Sequence, residues 1–340
     1  MKFTIVIPVH NGMPFIKDCI QSALTQDYPN YNIIVLENQS TDGTTEYLDT
    51  LPQDKITVIK SDKLLSIEEN WARIKDLPLN EYMTILMADD KLENNYLSLI
   101  AQQIKKHPGC NIYRTNIRLM NEKSEVFYSS NIPEKVTIYD YLKGRLTHTY
   151  TETAAGYCFK TSRYKEVGGI DCKYRLMHTD DKLFMQSIGE DNYMAVSPSY
   201  GANYRCHTGS ESGNPNPEAT IAGYNYWLNW IYNLNDQKLR QTVRAYLPYH
   251  LTQIVRFFTP EEMEKHKEIY KLYKINENDL WHQLIDYKLH HKLSCKKIIE
   301  NIFSVKNKYK DGKKKKVIKI LGIRASFTVK QGDSHGHQRP

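Results

Sequence analysis

Phe3-Thr4-Ile5-Val6-Ile7-Pro8-Val9, followed at once by His10-Asn11-Gly12, decides the fold. Apolar and β-branched residues run through it with no polar alternate, the pattern of a strand covered on both faces of a parallel sheet. Asn11-Gly12 predicts a turn, and Pro14 suits the first turn of a helix. Phe15, Ile16, Cys19, Ile20, Ala23 and Leu24 then recur at helical spacing until Asp27-Tyr28-Pro29-Asn30 breaks the pattern. Asn32-Ile33-Ile34-Val35-Leu36 is a second buried strand. Together these make a βαβ unit, with parallel strands and a right-handed crossover.

The alternation continues outward from that unit. Thr41 to Leu51 predicts a short helix, Lys55 to Lys60 a strand, and Ile67 to Leu77 a helix. Tyr82 to Met87 is a further core strand ending at Ala88-Asp89-Asp90, Leu92 to Lys106 a helix, and Asn111 to Thr115 a strand. Such alternation argues for a doubly wound α/β domain. Gly209 to Pro217 is polar and rich in breakers, a linker. Helical patterns follow over Ala219 to Leu234, Leu239 to Phe258, Glu261 to Tyr273 and Asp279 to Leu289. The expected organisation is a domain over 1–210, a helical region over 218–304 and a polybasic, partly disordered tail over 305–340.

Charge and composition narrow the function. The chain has 340 residues, 40% hydrophobic and 25% charged, an ordinary globular mix. Mean hydropathy is −0.60, and the sequence has no apolar run of the about 20 residues that a membrane span needs. The N-terminus lacks the pattern of a secretory signal. Six scattered cysteines without a CxxC pair argue against zinc ribbons and redox motifs, and for reduced thiols. Eight lysines and one acid, Asp311, fall between Val305 and Ile320, so this segment alone accounts for the net charge of +7. The rest is formally neutral, which argues against a nucleic-acid surface spread over the fold.

In open α/β sheets ligands lie beyond the carboxyl ends of strands, and three clusters fall there. Glu37-Asn38-Gln39-Ser40-Thr41-Asp42-Gly43 follows the second strand. It reads either as turn and cap chemistry or as a nucleotide contact in which Glu37 accepts from a base N–H or a ribose hydroxyl. Met87-Ala88-Asp89-Asp90 sets two carboxylates side by side. They read as a helix cap or as ligands for a hard divalent cation that also binds substrate phosphates. Met177-His178-Thr179-Asp180-Asp181 opens an apolar helix, and its carboxylates read as a cap or as a general base at a pocket floor.

The order of these clusters resembles the family 2 inverting glycosyltransferases of the GT-A fold, of bacterial cell-surface glycan type. Ile5 to Gly12 is similar to the family's opening strand and Pro-x-x-Asn turn. Ser22-Ala23-Leu24-Thr25-Gln26-Asp27-Tyr28-Pro29 resembles its S-hydrophobic-x-Q-x-Y-P segment, and Val35 to Thr44 its V-D-D-G-S-x-D-G-T loop. Leu86 to Asp90 matches the D-x-D metal motif, Gly168-Gly169-Ile170-Asp171 with Thr179-Asp180 the G-G-F-D … E-D pair, and Tyr204-Arg205-x-His207 a late Y-R-x-H motif. The resemblance covers about residues 3–210. Four positions depart from it: Met87 replaces the first Asp of D-x-D, Glu37-Asn38 replaces two Asp, and Thr179 replaces the acid before the base.

The resemblance implies a GT-A α/β fold, a mostly parallel sheet flanked by helices, with a C-terminal helical appendage. It implies an inverting hexosyl- or N-acetylhexosaminyltransferase using a UDP-linked donor, a glycan or lipid-linked acceptor, and Mn²⁺ or Mg²⁺. It assigns Asp180 as general base, Pro8, Val9, Asn11, Glu37, Asp42 and Asp89 as donor contacts, and Asp89 with His207 as metal ligands. A catalytically silent GT-A module that binds nucleotide sugar or glycan is the alternative, and Met87 is the residue that favours it. A nucleotidyltransferase is disfavoured, because Asn11-Gly12-Met13-Pro14 is not a Gly-rich phosphate loop. Lys313 to Lys316 beside Val317 to Ile323 joins a polybasic run to an apolar one, which suggests an anionic membrane surface as a partner. The expected location is therefore cytoplasmic, peripheral on the inner face of the membrane.

Overall fold

β1 (Phe3–Val9) is buried at every position, as a strand without a polar alternate must be. α1 (Ile16–Leu24) buries Ile16, Cys19, Ile20 and Ala23 on one side and leads into β2 (Tyr31–Glu37), which pairs parallel with β1. α2 (Thr44–Asp49) and β3 (Ile56–Lys60) follow, with β3 parallel to β2. α2 starts at Thr44 rather than Thr41 because Gly43 takes φ 95° and Asp42 Oδ1 accepts the Thr44 N–H at 3.0 Å. α3 (Ile67–Ala72) begins with a capping box between Ser66 and Glu69, and its chain tightens into a 3₁₀ turn over Arg73–Asp76. β4 (Tyr82–Ile85) then enters on the other side of β1, again parallel. The structure, a computed structural model, describes residues 1–150, 153–171, 179–210, 217–254, 272–273, 303–310, 313–320 and 323–328.

Beyond β4 the pairing becomes mixed. β5 (Lys91–Leu92) takes Leu92, which the sequence assigns to the start of a helix, since Leu92 pairs with Ala202 and the Glu93 N–H donates to the Gly201 carbonyl at 2.9 Å. α4 (Tyr96–Lys106) therefore starts a turn late. β6 (Ile112–Met120) is longer than expected and carries the hairpin strand β7 (Val126–Ser129). β8 (Lys135–Thr137), α5 (Ile138–Leu146), β9 (Tyr157–Lys160), α6 (Thr161–Glu166), α7 (Thr179–Ile188) and β10 (Tyr193–Arg205) complete the sheet region. The sheet order is β3-β2-β1-β4-β9-β6-β10-β5. β9 is antiparallel to both β4 and β6, whereas β10 runs parallel to β6. The parallel part is thus the β3-β2-β1-β4 block together with β6–β10. The core beneath includes Ile5, Ile7, Ile20, Ile33, Val35, Leu97, Ile100 and Tyr113, each fully or almost fully buried.

α8 (Pro217–Asn233) and α9 (Gln237–Ile254) match two expected helices. They lie in the same compact unit as the sheet, Met1–Glu277. The reason is apolar burial: Trp227 is 1% exposed, and its indole N–H points at Met185 Sδ of α7, 3.3 Å away. The expected helices over Glu261 to Tyr273 and Asp279 to Leu289 lie almost wholly outside the described residues. The second unit, Asn278–Pro340, contains β11 (Phe303–Lys310), β12 (Lys313–Ile320) and β13 (Ile323–Thr328) in one antiparallel sheet. The polybasic run expected in a tail thus forms strands, and residues 329–340 lie outside the described ones. No helix among the described residues is long and apolar enough to cross a membrane.

Candidate active site

The carboxyl ends of β1, β2 and β4 meet at one edge of the sheet, and the first site loops are stitched together there. Pro8 and Val9 end β1 opposite Leu36 and Glu37. Asn11, at φ 51°, accepts from the Thr41 N–H through Oδ1 at 2.8 Å, and its own N–H donates to Ser40 Oγ at 2.9 Å. The Gly12 N–H donates to Thr44 Oγ1 and the Met13 N–H to Asp42 Oδ2. Gly12 has no room for a side chain, since a Cβ would lie 2.7 Å from Val9 Cγ2. Burial opposes charge on Asp42, but hydrogen bonds from Thr44 and Met13 outweigh it and hold its carboxyl below the usual range. Glu37, 2% exposed, accepts the Ser40 N–H at 2.6 Å. The carboxylates of Glu37 and Asp42 and the amide of Asn11 therefore shape this loop pair from inside.

Past β4 the chain forms the acidic corner. Met87 is partly buried and packs against the main core, and its carbonyl accepts from Cys19 Sγ at 3.3 Å. Asp89 Oδ2 lies 2.9 Å from His207 Nε2. Asp90 is fully buried and accepts the Arg205 N–H at 2.8 Å; desolvation, then the neighbouring Asp89 charge, push its carboxyl well above the usual range. Arg205, 1% exposed, ties the corner together: it donates to the carbonyls of Asp89, Asn121 and Glu122 and lies over the Phe15 ring. The Phe15 ring also packs against His207, with centroids 5.0 Å apart. Among the described residues no third His, Cys, Asp or Glu joins Asp89 and His207. One carboxylate oxygen and one imidazole nitrogen at this spacing nonetheless fit a Mn²⁺ or Mg²⁺ ion that takes its remaining ligands from phosphate and water.

The third cluster opens α7. Asp181, 1% exposed, is locked: Arg145 grips it with Nε at 2.5 Å and Nη2 at 2.7 Å, and Tyr141 donates to it at 2.6 Å. Tyr141 and Arg145 stand one helical turn apart on α5, so one face of that helix supplies both donors. Asp180 is left to line a cleft with Trp71, Ile85, Tyr157, Phe159 and Phe184. It accepts the Asp181 N–H at 2.9 Å. Burial first, and the Asp181 charge second, push the Asp180 carboxyl up to about 7. Ile85 is the last residue of β4, so this cleft borders the strand whose continuation carries Asp89. Sequence reasoning missed the Arg145–Tyr141 clamp and the role of Arg205; the i, i+4 spacing of Tyr141 and Arg145 was the available signal for the first.

Comparison with known proteins fits this layout. The profile of a family described as "Glycosyl transferase family 2" matches residues 4–163, from β1 into α6. Residues 4–163 are thus a family 2 glycosyltransferase region. Glycosyltransferase GlyA of Streptococcus pneumoniae is 27% identical over 134 residues, 37% of this chain and 18% of the relative. The putative teichuronic acid biosynthesis glycosyltransferase TuaG of Bacillus subtilis is 26% identical over 150 residues, 42% of this chain and 58% of the relative. The matched stretch thus spans less than two thirds of either relative. The crystal structure of S. aureus TarS 1-349 in complex with UDP-GlcNAc superposes with a TM-score of 0.66 at 15% identity, covering 96% of this chain and 99% of that one. The glycosyltransferase domain therefore has the GT-A fold, as its motifs predict.

Proposed function

We propose that the protein transfers a hexose or N-acetylhexosamine from a UDP-linked donor to a glycan or lipid-linked acceptor, with inversion at the anomeric carbon. The observation that carries this reading is the division of labour between adjacent carboxylates: Asp181 is fixed by Arg145 and Tyr141, while Asp180 faces an apolar cleft beside the β4 end. A general base needs a carboxylate with a raised pKa in reach of the acceptor, and Asp180 has the environment for it.

In this mechanism the loop pair built by Asn11, Glu37 and Asp42 receives the nucleotide between the ends of β1 and β2, with Pro8 and Val9 at its floor. Asp89 and His207 would hold a divalent cation, which when bound would supply positive charge to neutralise the departing diphosphate. Asp180 accepts the proton of the acceptor hydroxyl as that oxygen attacks the anomeric carbon. The bond from that carbon to the diphosphate breaks on the opposite face, and UDP leaves with the electron pair. The apolar walls Trp71, Tyr157 and Phe184 keep bulk water from competing with the acceptor.

The strand register adds support for the expected anionic partner. In that register Lys315 lies opposite Lys308 and Lys313 opposite Lys310, so the segment gathers lysines at paired backbone positions, a charge density that anions would neutralise. We read this sheet as the contact to an anionic membrane surface that displays the acceptor. Met87 is the one feature that favours a silent binding module. A panel of UDP-sugars incubated with acceptor and Mn²⁺ separates the readings: UDP release is expected from one donor and lost in EDTA, whereas donor binding without release would leave only the binding module.

A further inference from the structure

Arg114 lies in β6 and is 1% exposed, yet among the described residues its Nε and Nη2 have no hydrogen-bond partner. A buried guanidinium is ordinarily paired, because an unsatisfied donor costs free energy and an unpaired charge costs more. Arg145, gripping Asp181 with two bonds, shows the ordinary solution in the same region. The guanidinium of Arg114 sits over the Tyr157 ring, 4.5 Å from its centroid. That stacking offsets part of the cost but accepts none of the in-plane N–H groups. Arg114 stands opposite Tyr157 in the β6–β9 register. The Tyr157 ring in turn stacks on Phe184 of α7 at 4.0 Å and 7°, and both rings line the cleft that holds Asp180. One ring is thus both the cover of the unpaired cation and a wall of the cleft.

We propose that Arg114 binds an anionic group of the acceptor, a carboxylate or a phosphate, reached from the cleft when the Tyr157 ring swings aside. A planar guanidinium fork matches both groups with two parallel hydrogen bonds. The acceptor is then an acidic glycan, held by its charge at Arg114 while a hydroxyl meets Asp180. The inference rests on the cleft being the acceptor site, and the test separates it from the donor reading.

The full chain, its donor site filled with UDP and Mg²⁺, is titrated with inorganic phosphate, glucuronate or glucose, with binding read by calorimetry and melting temperature. Wild type is expected to bind phosphate or glucuronate but not glucose, and the better of the two identifies the acceptor's anion. In Arg114→Met that binding should fall about 10–100-fold, the loss expected when charged hydrogen bonds are removed, while UDP binding is unchanged. Without anion, Arg114→Met should melt no lower than wild type, since a buried unpaired charge is gone. Equal anion affinity in the two proteins, or no anion binding by wild type, overturns the proposal. If Arg114→Met does not fold, Arg114→Lys decides: weaker anion binding supports the bidentate site and wild-type affinity overturns it. Loss of UDP binding in wild type itself would count against the donor reading alone, and anion titration without UDP would still judge Arg114.

Discussion

Replacing Asp180 by Asn tests catalysis and stability with one atom exchanged. The amide keeps the oxygen that accepts the Asp181 N–H but cannot take a proton from an acceptor. Loss of a general base costs about 10²–10⁴-fold in rate, so kcat should fall by that factor with UDP affinity unchanged. The same substitution should stabilise the protein. The Asp180 carboxyl stands near 7 in the folded chain against an ordinary 3.8, about three pH units, and each unit corresponds to about 1.4 kcal/mol. Between those values the folded chain binds a proton that the unfolded chain has released, so wild-type stability falls as pH rises through the window. At pH 8 the charged carboxylate costs up to ~4 kcal/mol, less whatever cleft water screens. Asp180→Asn removes that cost. The gain should be about 1–4 kcal/mol at pH 8 and vanish near pH 3, where the carboxyl is neutral in the folded chain and largely so in the unfolded one. Urea melts at the two pH values measure it, and coupled UDP detection measures the rate. A variant with wild-type turnover, or one less stable at pH 8, refutes the assignment.

Asp181→Asn should act oppositely, costing about 3–5 kcal/mol because it strands Arg145 without its buried partner; denaturant melts read this. Asp89→Ala should abolish transfer and lower Mn²⁺-dependent UDP affinity at least about tenfold by calorimetry, with the melting temperature little changed; full activity of wild type in EDTA contradicts the metal assignment. Deleting residues 305–340 should leave transfer to a soluble acceptor intact and abolish sedimentation with anionic vesicles, while binding by the full chain weakens as salt screens the lysines. Equal vesicle binding by both forms excludes the Lys-rich strands as the contact.

Much of the fold was legible because its first half is built from local signals. The unbroken apolar run of β1, the turn at Asn11-Gly12 and the i, i+3, i+4 spacing of α1 each specify their element without reference to the rest of the chain. β10 was not legible: Pro198 and Gly201 interrupt its pattern, and its pairing with β6 slips between Ser197 and Tyr200 and again before Ala202. Likewise Leu92 carries a helical pattern but is claimed by a distant strand partner, Ala202. The acids Asp89 and Asp180 stood out because carboxylates at strand and helix ends are conspicuous. What each acid does depends on long-range neighbours. His207 reaches Asp89, Arg205 closes the corner, and Arg145 occupies Asp181 while Asp180 faces the cleft. No spacing rule encodes those pairings, and none marks Arg114 as a cation without an acid among the described residues.

The most direct test of the whole account is the anomeric configuration of the transferred sugar, read by proton NMR on the product as it forms, before any equilibration. Attack by a hydroxyl activated at Asp180, opposite the departing UDP, predicts a β-linkage from an α-linked donor. An α-linked product would contradict the single displacement and with it the role given to Asp180.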